Sequence, residues 1–116
     1  MAIQKWSEDI IVAELGEDPQ FTDELAALMD SMEGKPKDVV LNFAAVSFVN
    51  SSNIARLLRL RKSVLTKERR LMLCGVNTQV WGVFLVTGLD KIFDFTNDIS
   101  TALATIQLAE GKDKTE

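Results

Sequence analysis

The chain has 116 residues, of which 47% are apolar, and a net charge of −4 at pH 7, a composition that suits one domain with its own hydrophobic core. It contains no histidine and one cysteine, so it lacks the commonest general base and metal ligand and cannot form an intrachain disulfide. These absences exclude Ser–His–Asp and Cys–His catalysis and an ordinary zinc site. We therefore expect a protein that binds other proteins rather than an enzyme, and one without a cofactor or metal.

The sequence gives no sign of a membrane. Residues 1–5 lack the basic and apolar regions of a signal peptide, and no apolar run reaches the ~18 residues of a membrane span. The single thiol, Cys74, suits a reducing compartment, and in an apolar strand we expect it to be inert with a raised pKa. We predict a cytoplasmic protein without membrane insertion.

Apolar strands and amphipathic helices alternate along the chain. Residues 10–13 are apolar and mostly β-branched, which predicts a strand. Thr22 is the predicted N-cap of the first helix, and Gly34 ends that helix. The nearly continuous apolar run over residues 38–43 predicts a strand covered on both faces, as in a parallel or mixed sheet.

A second helix is predicted from about residue 52 to residue 67, followed by an apolar strand at 71–74. The apolar stripe of that helix is predicted to contain Ile54, Leu57, Leu58, Val64 and Leu65. The predicted core combines strand residues with residues from the helix faces: Val39, Leu41, Phe43, Leu57, Leu58, Leu71, Leu73, Phe84 and Ile106.

The end of the chain continues the alternation. Asn77 is the predicted N-cap of a third helix, which Gly88 ends in the C′ position. A short strand at 92–95 and a last helix capped by Asp98 complete the pattern.

Together these elements predict a single-domain α/β fold over residues 1–110. It has a mixed central sheet of about four to five strands and about four helices. Residues 111–116 are polar, and we predict that they form a disordered tail.

The charge is unevenly distributed. From Arg56 to Arg70 there are seven basic residues and one acid, a net charge of +6, against −10 for the remainder. A nucleic-acid binder is usually basic as a whole and carries aromatic residues near its basic patch, and none lies between Phe48 and Trp81. We therefore expect no nucleic-acid partner. The basic segment is either a solvated helix face or a surface that steers an acidic protein or an anion.

Four small polar residues, from Asn50 to Asn53, stand where a buried strand gives way to a helix. Their side-chain oxygens can accept hydrogen bonds from the free N–H groups of the first helical turn, so an N-cap alone explains them. Helix geometry offers a second interpretation, because four residues share one face: Ser52, Arg56, Arg59 and Ser63. A phosphate on Ser52 would meet free N–H groups, the positive end of the helix dipole and the Arg56 guanidinium.

This segment resembles the STAS domains of bacterial anti-sigma factor antagonists. The family pattern has a short hydrophobic run that ends in Asp-Ser-Ser-Gly before an apolar helix, matched here by Val46-Ser47-Phe48-Val49-Asn50-Ser51-Ser52-Asn53. The strand at 71–76 also matches, as does the family's Thr-Gly-Leu-x-x-x-Phe, which here is Thr87-Gly88-Leu89-Asp90-Lys91-Ile92-Phe93. The resemblance covers residues 41–93, extends to the final helix, and implies the STAS fold.

The resemblance also implies a phosphorylation switch. In the family, an anti-sigma factor that is also a serine kinase phosphorylates the second serine of the motif. The unphosphorylated form binds that kinase, and a serine phosphatase restores it. Carried over by position, Ser52 is the phosphorylated residue. With the basic helix face included, the predicted partner-binding residues are Asn50, Ser51, Asn53, Arg56 and Arg59.

Two residues depart from the family motif. Asn50 replaces the acid, which keeps the size and the capping ability of that side chain but loses its charge. Asn53 replaces the glycine and adds a side chain where the active site of a kinase would approach closely.

Three functions remain open from the sequence. The first is a binding protein that sequesters an anti-sigma factor kinase under the control of serine phosphorylation. The second is a STAS domain that does not switch and serves as a scaffold or as a subunit of a regulatory or transport assembly. The third, an enzyme with Ser52 as nucleophile, lacks any visible base.

Overall fold

The computed structural model describes residues 3–32 and 34–115, and the side chains among them as far as residue 109. Within these ranges the chain forms one five-stranded mixed sheet and four α-helices, which confirms the predicted fold class. The strands lie side by side in the order in which they occur along the chain.

The strands and helices have the following bounds. The strands are β1 Ile3–Lys5, β2 Ile10–Glu14, β3 Asp38–Asn42, β4 Leu71–Cys74 and β5 Asp94–Thr96. The helices are α1 Gln20–Ser31, α2 Ser51–Thr66, α3 Thr78–Thr87 and α4 Ile99–Thr115, with a short 3₁₀ turn at Leu89–Lys91 before β5.

The sheet is antiparallel at one edge only. β1 pairs with β2 in the antiparallel direction, whereas β2, β3, β4 and β5 pair with one another in parallel. Because parallel neighbours need a crossover, α1, α2 and α3 connect successive strands from β2 to β5. The three central strands are buried along nearly their whole length, as the continuous apolar runs predict for a sheet covered on both faces.

Two hydrophobic clusters occupy the two faces of the sheet. The larger cluster packs α1, α2 and α3 against one face and includes Leu41 and Phe84, both fully buried. The smaller cluster packs Ala102 and Ile106 of α4 against Val40 and the other alternate residues of the strands. The core therefore has a three-helix side and a one-helix side.

Three of the predicted helix ends are confirmed. The Asn77 side-chain oxygen accepts a hydrogen bond from the Val80 N–H at 2.8 Å, which caps α3. Gly88 ends α3 with a φ of 76°, a left-handed conformation that favours glycine. The Asp98 carboxylate accepts from the Thr101 N–H at 2.8 Å at the start of α4.

One member of the predicted core is wrong. Leu58 is 36% exposed, and Leu65, predicted in the same stripe, is 45% exposed. The buried face of α2 instead contains Leu57, Leu60 and Val64. A helix so rich in leucine offers two overlapping apolar stripes, and packing against α1 and the sheet selects the one that includes Leu60.

Three boundaries also differ from the prediction. α1 begins at Gln20, before Thr22, because the Asp18 carboxylate accepts from the Thr22 N–H in the first turn. β5 begins at Asp94, because the 3₁₀ turn occupies the residues before it. α4 continues through Thr115, so residues 111–115 of the predicted tail have helical backbone. The two lysines there are good helix formers, although the glycine disfavours a helix by about 1 kcal/mol. Glu116 lies outside the described residues.

Replacing Leu41 by alanine is expected to lower the free energy of unfolding by about 2–5 kcal/mol, because this side chain is fully buried on the central strand. Leu58→Ala is the matched control: it removes the same atoms from a partly exposed site and should cost less than about 1 kcal/mol. Urea titrations of both variants give the comparison. A loss below about 1 kcal/mol for Leu41→Ala would show that β3 is not central to the core.

Candidate functional site

Three loops meet at the carboxyl edge of the parallel strands. They follow β2, β3 and β4, and parallel strands bring their carboxyl ends to the same edge. The Ser47 N–H donates to the Glu17 carboxylate at 2.6 Å, which joins the first loop to the second. The Asn77 side-chain amide donates to the Val46 carbonyl at 3.0 Å, which joins the third loop to the second. The segment before α2 is therefore held from both sides.

The turn after β3 depends on a glycine in the neighbouring loop. The Asn42 side-chain oxygen accepts from the Ala44 N–H at 3.0 Å and starts the turn. Gly75, with a φ of 70°, passes so close that a Cβ on it would lie 2.8 Å from that oxygen. A side chain at Gly75 would thus collide with the residue that shapes the turn toward α2.

The start of α2 is fixed by a reciprocal pair of hydrogen bonds. The Asn53 N–H donates to the Asn50 side-chain oxygen at 2.8 Å, and the Asn50 N–H donates to the Asn53 side-chain oxygen at 3.0 Å. This is a capping box in which both members are asparagine. The prediction that these polar residues cap the helix is confirmed, with Asn50 as the N-cap and Ser51 as the first helical residue.

Asn53 also connects α2 to the loop before α1. Its side-chain amide donates to the Asp18 carboxylate at 2.9 Å, and Asn53 is only 3% exposed. The same carboxylate accepts from the Thr22 hydroxyl at 2.8 Å. The hydrogen bond from Asn53, followed by that from Thr22, lowers the pKa of Asp18 below its ordinary value. The Asn53 side chain is turned inward to Asp18, and its part in partner binding stays a prediction.

The two serines of the motif are accessible. Ser51 and Ser52, the first two residues of α2, are both exposed. Of the four N–H groups that a helix start leaves without an intrahelical partner, the capping box uses those of Asn50 and Asn53. The N–H groups of Ser51 and Ser52 make no hydrogen bond to any other described residue. The site thus combines two hydroxyls with two backbone donors at the positive end of a helix dipole.

The structure places Arg56 and Arg59 beside a depression between two helices. Arg56 and Arg59 line a depression of about 250 Å³ between α1 and α2, together with Leu25, Ala26, Met29 and Asp30. Ser52 does not line it. The basic depression thus lies farther along α2 than the accessible helix start.

Two residues of this edge have no assigned role in the sequence analysis. Asp18 could have been noticed as an acid just before a helix, but its bond to Asn53 spans 35 residues and has no local signal. Phe48 is 64% exposed, although Val46 and Val49 on either side of it are buried. An exposed aromatic side chain four residues before Ser52 is typical of a protein contact.

The described residues offer neither a cluster of metal ligands nor a reactive thiol at this edge. Among the described residues, no three His, Cys, Asp or Glu side chains are placed to hold a metal ion. Burial raises the pKa of the Cys74 thiol to about 11, with a smaller contribution from Asp98, so the thiol is protonated at pH 7, as expected for an inert cysteine. Within the same ranges, no helix has both the length and the apolar character to cross a bilayer.

Comparison with known proteins identifies the family. A family model of the STAS domain matches residues 3–102. The chain therefore belongs to the STAS domain family, as the resemblance implies. A comparison with curated proteins finds no sequence match.

Several solved structures share the fold at low sequence identity. An anti-sigma-factor antagonist (STAS) domain protein from Planctomyces limnophilus is 20% identical, with a TM-score of 0.78 over 90% of this chain and 97% of that chain. The Bacillus cell fate determinant SpoIIAA in its phosphorylated form is 17% identical, with a TM-score of 0.71 over 90% and 96%. A sulfate transporter family protein from Wolinella succinogenes is 21% identical, with a TM-score of 0.70 over 90% of each chain.

Replacing Asn53 by alanine is expected to raise the pKa of Asp18 toward the ordinary aspartate value of about 3.9, because the first cause of its lowering is removed. Since the folded-state pKa is lowered, the contribution of Asp18 to stability is present above about pH 4 and is lost as the pH falls through that pKa. The variant should also lose about 1–2 kcal/mol of stability at pH 7 with its capping box.

NMR titration of the aspartate carboxyl carbons measures these pKa values. Asp98 is the internal control, because its pKa is lowered by hydrogen bonds from Thr101 and not from Asn53. Asp98 follows β5 whereas Asp18 follows β2, so the Asp98 pKa should not change in the variant. An unchanged Asp18 pKa in the variant, or an equal change at Asp98, would contradict the assigned role of Asn53.

Proposed function

We propose that this chain is an anti-sigma factor antagonist-like regulator that binds an anti-sigma factor serine kinase and is switched by phosphorylation of Ser52. A serine phosphatase reverses the switch. The protein works in the cytoplasm and catalyses no reaction itself. Its partner surface is the carboxyl edge of the sheet with the beginning of α2: Phe48, Asn50, Ser51, Ser52 and, farther along the helix, Arg56 and Arg59.

The accessible Ser52 at the start of α2 carries this proposal. Its hydroxyl is exposed, and the helix start around it is held by the capping box. A kinase needs an accessible hydroxyl on a defined backbone, and a phosphate there would find the N–H groups of Ser51 and Ser52 and the positive end of the dipole. The modified domain should therefore remain folded, and the phosphate should stabilise it rather than melt α2.

Release of the kinase must then come from the surface and not from unfolding. A phosphate adds nearly two negative charges to an edge that already carries the Glu17 and Asp18 carboxylates in the adjoining loop. A partner packed over Phe48 and Ser52 would have to desolvate this acidic edge. A hundredfold weakening of binding needs only about 2.7 kcal/mol, which one desolvated phosphate can supply.

The two departures from the family motif bear differently on the proposal. Asn53 points to Asp18 and is buried, so it leaves the approach of a kinase open. Asn50 caps α2 through its side-chain oxygen, as a carboxylate would, but brings no charge to the site. The kinase must therefore accept a motif that has one negative charge fewer.

A non-switching STAS domain is the second candidate. It would act as a scaffold or as a subunit of a regulatory or transport assembly. The missing charge at Asn50 favours it, and so does the shared fold with a sulfate transporter family protein. An enzyme with a Ser52 nucleophile has less support, because no described side chain accepts a hydrogen bond from that hydroxyl.

Incubation with ATP and the cognate serine kinase is expected to place one phosphate on Ser52. Phosphopeptide mapping locates it, and the same treatment of Ser52→Ala should give none. Ser51→Ala is the matched control and should still be modified, since it removes the same hydroxyl one residue earlier. Phosphate on Ser51 alone, or full modification of Ser52→Ala, would falsify the assignment. No phosphate at all would favour the non-switching scaffold.

Variants at position 52 should change kinase binding in opposite directions. Ser52→Ala should bind the kinase constitutively, because it cannot be modified. Ser52→Asp should mimic the phosphate only in part, since it carries one charge and two oxygens. Surface plasmon resonance against the kinase compares them. Equal affinities of the two variants would contradict a switch that works through charge.

Reversing the charge of Arg56 and Arg59 together, as Arg56→Glu/Arg59→Glu, should slow association with the kinase at low salt while stability changes little. The difference should shrink as salt screens the charges. Lys37→Glu/Lys91→Glu changes the net charge by the same amount away from α2 and is the control. An unchanged association rate for the arginine variant at low salt would overturn a steering role for this face.

A further inference from the structure

Four of the seven basic residues between Arg56 and Arg70 lie along a groove between α1 and α2. The depression that contains Arg56 and Arg59 adjoins a second one of about 350 Å³, which shares Met29 and Arg59 with it and adds Lys62, Ser63, Thr66 and Lys67. We call the two depressions together the α1–α2 groove. Along α2 the groove extends from Arg56 to Lys67, a length of about 17 Å or three helical turns.

Among the described side chains, the cations of this groove form no ion pair and face a single carboxylate. No ion pair within residues 3–32 and 34–109 involves its four basic side chains, Arg56, Arg59, Lys62 and Lys67. The only acid that lines the groove is Asp30, so four positive charges face one negative charge. The Nε of Arg56 is moreover buried without a hydrogen-bond partner among the described residues, although buried donors are nearly always satisfied.

The other basic region of the chain shows the contrast. Three arginines line a cavity of about 370 Å³ at the amino ends of the parallel strands, but three carboxylates line it as well: Arg61, Arg69 and Arg70 with Asp38, Glu68 and Asp94. Two of these residues form an ion pair, in which the Arg69 guanidinium lies 3.0 Å from the Asp38 carboxylate. That region balances its own charge, whereas the α1–α2 groove does not.

The floor of the groove is apolar. Between the two helices it consists of Leu25, Ala26 and Met29, of which Met29 is only partly buried. A methionine can adapt its shape to an apolar side chain inserted beside it. The groove thus offers a shallow apolar floor between basic walls, and no aromatic side chain lines it on which a nucleic-acid base could stack.

We propose that the α1–α2 groove is a docking site for an acidic, amphipathic helical segment of a protein. Such a segment would place apolar side chains over Ala26 and Met29, and its carboxylates would meet the basic side chains of α2. A helix of about 11 residues has the length of the groove. This inference rests on the proposed function in that both make the chain a protein-binding module and both use Arg56 and Arg59, but docking here requires no phosphate on Ser52.

The test uses a synthetic helical peptide of about 18 residues, with leucines at one-face spacing and glutamates elsewhere, added to the ¹⁵N-labelled full chain. We expect amide shift changes at Ala26, Met29, Arg59 and Ser63, and an affinity that falls as salt rises. A scrambled peptide of the same composition should bind at least about tenfold more weakly, because it lacks the apolar stripe. A single-stranded DNA of equal charge should also bind more weakly.

Two neighbouring alanines provide a matched pair of variants. Ala26→Glu puts a carboxylate on the floor of the groove and should weaken peptide binding at least about tenfold. Ala27→Glu makes the same change one residue later, at an exposed position outside the groove, and should bind like the natural sequence. Both positions are exposed on α1, so neither variant should unfold the protein. Thermal unfolding of both variants verifies this.

Four results would overturn the inference: no binding of the acidic peptide, shift changes elsewhere, equal binding of the scrambled peptide, or equal weakening by Ala26→Glu and Ala27→Glu. If the DNA binds more tightly than the acidic peptide, the ligand of the groove is a nucleic acid and not an acidic protein segment. Phosphorylation of Ser52 in the same variants separates the two proposals. If the kinase modifies Ser52 but the peptide does not bind, only the groove proposal fails.

Discussion

The hydrogen bond from the Asn53 side chain to Asp18 joins the first two crossover connections of the sheet, and the geometry of the candidate site depends on it. Through it the capping box at the start of α2 is tied to the loop that precedes α1. With this bond, the accessible Ser52 stands on a helix start that is held to the loop before α1.

Much of the fold could be predicted from the sequence because its signals are local. Continuous apolar runs predicted β3 and β4 as strands covered on both faces, and both are buried. The N-caps at Asn77 and Asp98 and the left-handed Gly88 each depend on a residue type at one position. The resemblance to STAS domains added the topology, which periodicity alone does not determine.

The remaining features depend on contacts between distant parts of the chain. Leu58 and Leu60 are equally apolar, and only the position of α1 decides which of them is buried. Asn53 was predicted to lie where a partner approaches, and the sequence gives no local signal for its hydrogen bond to Asp18, 35 residues away. Arg56 and Arg59 share a helix face with Ser52 in the sequence, but only the packing of α2 against α1 creates the depression that the two arginines line.

The two edges of the sheet limit how this protein can associate. The outer strands, β1 and β5, are only three residues long, and both carry exposed polar side chains, including Lys5 and Asp94. Such edges present little unpaired backbone to which a strand of another molecule could add, a protection that natural sheets commonly use against aggregation. Short edges of this kind favour contacts through helices and loops, where side chains rather than backbone hydrogen bonds select the partner.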